Sequence, residues 1–263
     1  MNNMTKLSLK NQEVQIDQGE LISYQVDGHE LIHQKGSPGW RSSDTEMFPI
    51  IGPTNKADFR VKTPKGMAIQ DQHGLLREME YELEEATETK AVFVKRYQAD
   101  TRIKNSKFPE KSSEEFLSWP YDFTFLKSFH LNENGLEIDF EINGGEGMPY
   151  MLGYHPAFNL TTENPIIYTQ EREITIPEVR AVGSRALQVP NQTSITLENQ
   201  LHLTIKTEGF QHFMLWTEVS NMVCIEPITF YPYAVEQSNL DNGFKVLKGK
   251  KTEIFKVWLL PKK

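Results

Sequence analysis

The sequence is poor in the residues on which disulfides, thiolate metal clusters and nucleic-acid surfaces depend. Cys224 is the single cysteine among 263 residues, which excludes an internal disulfide and a metal cluster held by several thiolates. The net charge of −8 and the lack of long basic runs argue against a nucleic-acid partner and against an anionic membrane surface. The short run Lys-Gly-Lys-Lys at residues 248–251 is interpreted as a solvated turn.

Other absences narrow the function further. No segment is apolar and long enough to span a membrane, and residues 1–6 lack the apolar stretch of a signal peptide, so we expect a cytoplasmic protein. The sequence has neither a Gly-rich phosphate loop nor a Gly-x-Ser-x-Gly nucleophile elbow.

The residues that are present predict an all-β fold. Hydrophobic residues make up 38% of the chain, enough for a substantial core. Short β-rich runs alternate with turn signals such as Asp27-Gly28, and no regular series of helices separates them. The pattern predicts a large antiparallel β-sandwich, organised as a single domain over residues 1–263. One short helix is expected near residues 112–117, where Ser112 and Glu115 form a possible capping box.

The segment Gly153-Tyr154-His155-Pro156 is the main candidate for chemistry. Proline biases the preceding residue towards extended backbone, so His155 is expected at a strand end. An imidazole on a stiff backbone beside apolar walls is suited to proton transfer to a ligand. Taken alone, the pattern favours a core histidine that hydrogen-bonds a carbonyl.

Three further residues are candidates for the same site. His73 precedes Gly74, whose small size could let a ligand approach the backbone, and Arg77 could bind a hydroxyl or carboxylate. Glu226 ends an apolar run just before Pro227. The alternatives are a solvent-exposed turn histidine, a surface arginine and a rim carboxylate in an ion pair. His73, His155 and Glu226 could also bind zinc or iron, but no His-x-x-x-His spacing supports a metal, and none is predicted.

Several of these motifs, taken together and in order, resemble the aldose 1-epimerase (galactose mutarotase-like) family, and in particular its LacX-like branch. The matching segments are residues 48–52, 72–77, 121–123, 153–158 and 224–227. The resemblance implies a galactose mutarotase-like supersandwich with a sugar cleft on one face. It implies that His155 is the general acid, that Glu226 is the general base, and that His73 contacts the sugar near its ring oxygen.

The resemblance also has departures. The family often has an arginine directly after the segment 48–52, where this chain has Pro53, and the aspartate that binds sugar hydroxyls in galactose enzymes is not identified. Phe158 and Trp216, with Trp40 and Tyr231, are candidates to stack on a sugar, although each could equally be a core residue.

The reaction implied is cofactor-independent anomer interconversion of a free aldose by a monomer or homodimer. From ordinary pKa values we expect an ionised Glu226 that raises the pKa of His155. Two alternatives remain open. One is a non-catalytic carbohydrate-binding or sensing protein. The other is a hexose-phosphate epimerase, which would need a cluster of basic residues at the cleft, and only Arg41, Arg60 and Arg77 lie near the site in sequence.

Overall fold

A computed structural model describes residues 4–249 and 252–262. Residues 1–3 of the N-terminal segment, and Lys250 and Lys251 of the expected turn, lie outside the described residues.

Short strands dominate the described part of the chain. In the first half they are β1 Met4–Leu9, β2 Gln12–Asp17, β3 Glu20–Val26, β4 His29–Glu30, β5 Glu46–Met47, β6 Arg60–Thr63, β7 Gly66–Ile69, β8 Glu82–Ala86, β9 Lys90–Tyr97, β10 Ile103–Lys104, β11 Phe116–Leu117, β12 Phe123–Asn132 and β13 Gly135–Gly144. In the second half they are β14 Pro149–Tyr150, β15 Gly153–Tyr154, β16 Ala157–Asn159, β17 Ile166–Tyr168, β18 Glu173–Thr175, β19 Leu187–Val189, β20 Ser194–Glu198, β21 His202–Glu208, β22 His212–Trp216, β23 Met222–Ile228, β24 Lys245–Val246 and β25 Glu253–Lys262.

Two antiparallel sheets form the main layers. The larger has nine strands in the order β18-β17-β20-β21-β25-β13-β12-β9-β8, and the smaller has the order β19-β22-β23-β15-β5 with β16 also paired to β23. A separate four-stranded sheet is formed by β1 to β4. The predicted all-β, antiparallel sandwich is therefore confirmed.

The hydrophobic core lies between the two main sheets. Phe125 and Phe140 of the larger sheet and Val223 and Ile225 of the smaller sheet are fully buried in one cluster. Because side chains alternate along a strand, the other face of β23 presents Cys224 and Glu226 away from this core. The outer face of the smaller sheet is where the candidate site lies.

The predicted helix at residues 112–117 is wrong. The Ser112 hydroxyl accepts a hydrogen bond from Asn105 Nδ2 at 3.0 Å, and Phe116 and Leu117 form β11. The α-helix of the described residues, α1, is Ile176–Val182, and the Thr175 hydroxyl caps it by accepting from the Glu178 N–H.

The remaining helices are single turns of 3-10 type at Asn55–Ala57, Leu75–Glu78, Gly183–Arg185 and Pro232–Ala234, with a longer, kinked 3-10 segment at Gln237–Gly243. Among the residues that the structure describes, no helix combines the length and the apolar character needed to cross a membrane.

Candidate active site

A cleft of about 400 Å³ opens on the outer face of the smaller sheet. Its volume is within the range typical of small-molecule sites. Its walls include Trp40, His73, Arg77, His155, Trp216 and Glu226. Five of the six predicted site residues thus share one cavity, although they are spread over more than 150 positions of the sequence.

His155 and Glu226 meet at the wall of this cleft. His155 directly follows β15, and Glu226 lies in the neighbouring strand β23. The Nε2 atom of His155 is 3.4 Å from Oε1 of Glu226. Both side chains are buried, with relative exposures of 7% and 1%. The pairing of β15 with β23 therefore brings the imidazole of His155 and the carboxyl of Glu226 into contact.

Backbone hydrogen bonds on both sides fix His155 in place. Its N–H donates to the Thr45 carbonyl at 2.8 Å, and its own carbonyl accepts from the Thr45 N–H at 3.3 Å. The expectation that His155 lies at a strand end is confirmed. The ring Nδ1 is buried and makes no hydrogen bond within the described part of the chain.

The pKa values of the pair shift in the direction opposite to that expected from the sequence. Burial lowers the pKa of His155 to about 3, and the positive charge of Arg77 acts in the same direction. Burial also raises the pKa of Glu226 well above its usual range. Desolvation disfavours the charged form of each group, and at this site it outweighs their mutual attraction. Both shifts favour the neutral forms, so the exchangeable proton of the pair lies on Glu226 rather than on His155.

His73 occupies a constrained backbone position beside the pair. Its φ angle is +74°, its carbonyl accepts from the Phe48 N–H at 3.1 Å, and its ring lies 5.5 Å from that of His155. Nδ1 is 2.8 Å from the Ile51 carbonyl, which makes it the protonated nitrogen and leaves Nε2 as an acceptor. Burial and the neighbouring His155 lower the pKa of His73, so the ring is neutral.

The backbone geometry at position 74 explains why a glycine follows His73. An added Cβ would lie 2.2 Å from the Phe48 carbonyl oxygen, and the φ angle is +74°. Protein backbone, rather than a ligand as the sequence suggested, makes the close approach. The glycine thus fixes the segment 48–52 against His73.

Aromatic rings enclose His155 on two sides. The Trp40 ring centroid is 4.4 Å from that of His155, and the Trp216 centroid is 6.2 Å away. Trp40 is held by its carbonyl, which lies 2.8 Å from Nε2 of the buried His33. These two indoles, one of them a predicted site residue, are the aromatic surfaces available to a sugar in the cleft.

The prediction that Phe158 contacts substrate is wrong. Its side chain is fully buried in the core between the sheets. Within β16, Ala157 pairs with Cys224 and Phe158 pairs with Val223, so strand alternation directs Phe158 inward. Tyr231 likewise lies beside the cleft rather than in it, with its hydroxyl 3.2 Å from the Ala186 carbonyl.

Several residues of the cleft could not be identified from the sequence, because no motif or pattern marks them. Lys111, Ser184, Glu218 and Tyr233 line it from loops and short turns. Arg77 is the predicted cation, with a side chain 25% exposed and Nε 3.8 Å from Glu78. Positions in irregular loops have no periodicity that could place them beside His155.

A third side chain that could bind a metal lies next to the pair. Ligand atoms of His155, Cys224 and Glu226 all lie within 4.8 Å of one another, and all three residues are buried. The metal candidates named from the sequence were His73, His155 and Glu226. Cys224 instead of His73 completes the group of ligand atoms within 4.8 Å of one another.

Comparison with known proteins gives the site a family context. A family model described as aldose 1-epimerase matches residues 19–218. The chromosomal LacX protein of Lactococcus lactis subsp. lactis is 26% identical over 212 residues, which cover 74% of this chain and 64% of the relative. The chain therefore aligns with somewhat less than two thirds of the length of this curated relative.

Solved structures share the fold. A galactose mutarotase-like protein from Lactobacillus casei superposes with a TM-score of 0.79 at 15% identity, covering 98% of this chain and 99% of the other. A galactose mutarotase related enzyme from Lactobacillus acidophilus gives a TM-score of 0.73 at 18% identity, covering 97% of each chain. At these identities the likeness concerns the arrangement of strands.

Proposed function

This chain belongs to the aldose 1-epimerase family, as its motifs predict, and we propose that it interconverts the α and β anomers of a free aldose by acid–base ring opening. The observation that carries the proposal is the 3.4 Å approach of His155 Nε2 to Glu226 Oε1 at the wall of a sugar-sized cleft. The proposal assigns proton transfer to these two residues and sugar binding to His73, Arg77, Trp40 and Trp216.

The geometry of the pair suits the atoms that react. Ring opening removes the proton of the C1 hydroxyl, delivers a proton to the ring oxygen O5 and breaks the C1–O5 bond. Both oxygens are bonded to C1, so an acid and a base that touch each other can reach both. After rotation about C1–C2, closure on the other face of the aldehyde returns both protons.

The protonation state of the pair matches this exchange. One proton is taken up and one is given back in each ring opening, so a pair that holds one proton between two groups is balanced. In ring opening one of the two groups gives a proton to O5 and the other takes the proton of the C1 hydroxyl, and ring closure reverses both transfers. Each well-placed acid or base contributes about 10²–10⁴-fold to the rate.

The other residues would position the sugar. Nε2 of His73 accepts a hydrogen bond from the Gln72 amide at 3.3 Å, and a sugar hydroxyl that replaced this long hydrogen bond would meet a neutral acceptor. The indoles of Trp40 and Trp216 offer apolar faces to the C–H side of a pyranose ring. Arg77, beside the two histidines, is a donor for hydroxyl or anionic oxygens.

Exchange NMR or polarimetry on freshly dissolved α-glucose and α-galactose tests the proposal. We expect acceleration over the buffer rate by the wild type, and a loss of about 10²–10⁴-fold in kcat/KM for E226Q. E218Q is the matched control, since Glu218 lines the same cleft but is exposed and makes no contact with His155 in the described structure. The proposal fails if E226Q retains the wild-type rate, or if the wild type binds sugar without any acceleration, as a sugar-binding or sensing protein would.

A second candidate is the same reaction on a sugar phosphate. The observation in its favour is that Arg77 and Lys111 both line the cleft. Arg60, one of the other arginines considered from the sequence, instead pairs with Glu114 at 3.0 Å. Assays with glucose and glucose 6-phosphate in parallel separate the two candidates: a phosphate preference that disappears in K111M and R77M would establish the second.

A further inference from the structure

Cys224 and Glu226 project from the same face of β23. They are two residues apart, so strand alternation places both side chains on the outer face, towards the cleft. Cys224 pairs with Ala157, which is two residues after His155, and packs in a cluster with Trp40 and Trp216. The register of three adjacent strand segments thus gathers a thiol, a carboxyl and an imidazole.

The distances suit a small metal ion. Ligand atoms of the three residues lie within 4.8 Å of one another, and the His155–Glu226 separation is 3.4 Å. Tetrahedral zinc, with bonds of about 2.0–2.3 Å, places its ligand atoms roughly 3.4–3.6 Å apart. The pair is already at that spacing, and the Cys224 sulfur lies within 4.8 Å of both.

The chemistry of the three groups is that of a zinc site. Sulfur, imidazole nitrogen and carboxyl oxygen are the ligands zinc takes in proteins, and three protein ligands with one open position are typical of catalytic zinc centres. Oε1 of Glu226 is buried and accepts no hydrogen bond from any described residue. A cation would satisfy this oxygen, and the open position would face the cleft.

We propose that His155, Cys224 and Glu226 form a binding site for a thiophilic divalent cation of the Zn²⁺ class, and that the occupied site blocks sugar turnover. The second clause rests on the proposed function, because the ion would take the lone pair of His155 and the carboxyl group of Glu226, both of which ring opening needs. Binding displaces the Cys224 thiol proton and the Glu226 carboxyl proton to solvent as the sulfur–metal and oxygen–metal bonds form.

Zn²⁺ and Co²⁺ titrations of the full chain, after treatment with chelator, test the proposal. We expect one Zn²⁺ per chain by competition with a chromophoric chelator, and a sulfur-to-cobalt charge-transfer band with Co²⁺. C224S should abolish the band and weaken Zn²⁺ binding by more than about 100-fold, because even the loss of an outer-shell partner of a metal ligand costs about 10–100-fold. E226Q, which keeps the shape of the carboxyl, should weaken Zn²⁺ binding as well and serves if C224S does not fold.

A control variant outside the site tests whether Zn²⁺ binds to a surface histidine instead. His202 is an exposed histidine of the larger sheet, and H202Q should bind Zn²⁺ as the wild type does. Inhibition of mutarotation by Zn²⁺ is compared with the rate of each variant without metal. Absence of the cobalt band in the wild type, or equal Zn²⁺ affinity in the wild type, C224S and E226Q, overturns the site. If the chain has no mutarotase activity at all, the titrations still decide the metal site, and only the inhibitory role is lost.

Discussion

Two buried groups of titratable side chains lie close to His155, and burial affects them in opposite ways. On the cleft side of the smaller sheet, His155 and Glu226 face each other without any other counter-charge bonded to them in the described structure. Between the sheets, Lys127 of β12 bonds Asp44 at 2.7 Å and Glu46 at 2.6 Å. We call the second group the ion cluster. Both groups are nearly inaccessible to water, so the difference between them lies in their partners.

The ion cluster keeps its charges. Burial alone would lower the pKa of Lys127 and raise that of Glu46, but their mutual attraction outweighs it, so the pKa of Lys127 is raised and that of Glu46 is lowered. Asp44 is the exception, because burial raises its pKa to about 7 although Lys127 lies beside it. Lys127 thus helps to keep Glu46 ionised but stabilises the charge of Asp44 only in part.

The comparison separates a positioning role from a chemical role. A group that keeps its charge holds the chain: Glu46 adjoins Thr45, whose backbone makes both hydrogen bonds to the backbone of His155. Groups that burial makes neutral can exchange a proton, as His155 and Glu226 must in the proposed reaction. Removing the buried cation should therefore destabilise the ion cluster, whereas removing an ionisable group from the proton-transfer pair should stabilise the fold.

The largest expected effect comes from breaking the ion cluster. K127M removes the lysine bonded to both buried carboxyl groups, although Lys95 still lies near Glu46, and we expect the free energy of unfolding to fall by about 3–5 kcal/mol. Urea denaturation at pH 7 measures it. K90M is the matched control, since Lys90 pairs with Glu85 at the surface and its loss should cost less than about 1 kcal/mol. Equal losses in the two variants would show that the ion cluster is not what stabilises this region.

The opposite result is expected at the proton-transfer pair. The folded-state pKa of Glu226 is raised, so the folded protein keeps a proton that the unfolded chain releases, and stability falls as pH rises from about 4.3 to that raised pKa. E226Q lacks this loss. We expect it to be more stable than the wild type, with a difference in the free energy of unfolding that grows by up to about 1.4 kcal/mol per pH unit above about 4.3.

Urea denaturation of E226Q and wild type between pH 4 and pH 8, with chelator present, measures this difference. E218Q, which removes an exposed carboxylate of the same cleft, should follow the wild type throughout. A difference in the free energy of unfolding between E226Q and wild type that stays constant with pH would contradict a neutral, buried Glu226.

A smaller effect on stability, with the opposite dependence on pH, is expected for His155. Its folded-state pKa is depressed to about 3, so the unfolded chain binds a proton that the folded chain does not, and wild-type stability is lost as pH falls below about 6.5. H155N removes this sensitivity and should gain about 2 kcal/mol relative to wild type between pH 6.5 and pH 5. H202Q serves as the exposed control. If H155N and wild type lose stability in parallel over this range, His155 is charged in the folded protein.

The sequence was informative where local pattern decides the structure. The antiparallel strands and the strand-end position of His155 follow from alternation, turn residues and Pro156. Strand alternation could also have placed Phe158 correctly, because Ala157 and Phe158 must face opposite sides of β16. The helix α1 could also have been predicted from the sequence, because Thr175 and Glu178 have the spacing of a capping box and Pro177 suits a first helical turn.

The electrostatics of the site could not be predicted from the sequence. The family resemblance supplied His155 and Glu226, but ordinary pKa values led to the wrong charge state, since the burial that reverses it arises only after the sheets pack. Lys111 and Tyr233 reach the cleft from segments whose path depends on tertiary contacts. The extent of the single domain over residues 1–263 and the oligomeric state stay predictions.

The smallest expected effect tests whether the ion cluster acts on His155 through the backbone. The Tyr81 hydroxyl donates to Oε2 of Glu46 at 2.8 Å, so Y81F removes one hydrogen bond and keeps all three charges. We expect a loss of about 1 kcal/mol in the free energy of unfolding, since a buried charged group that keeps its lysine tolerates the loss of one donor. Because Thr45 stays in place, the kcat of mutarotation should change by less than about threefold while K127M, assayed where it is still folded, loses far more. A kcat of Y81F as low as that of K127M would mean that His155 depends on the hydrogen bonds of Glu46 rather than on its charge.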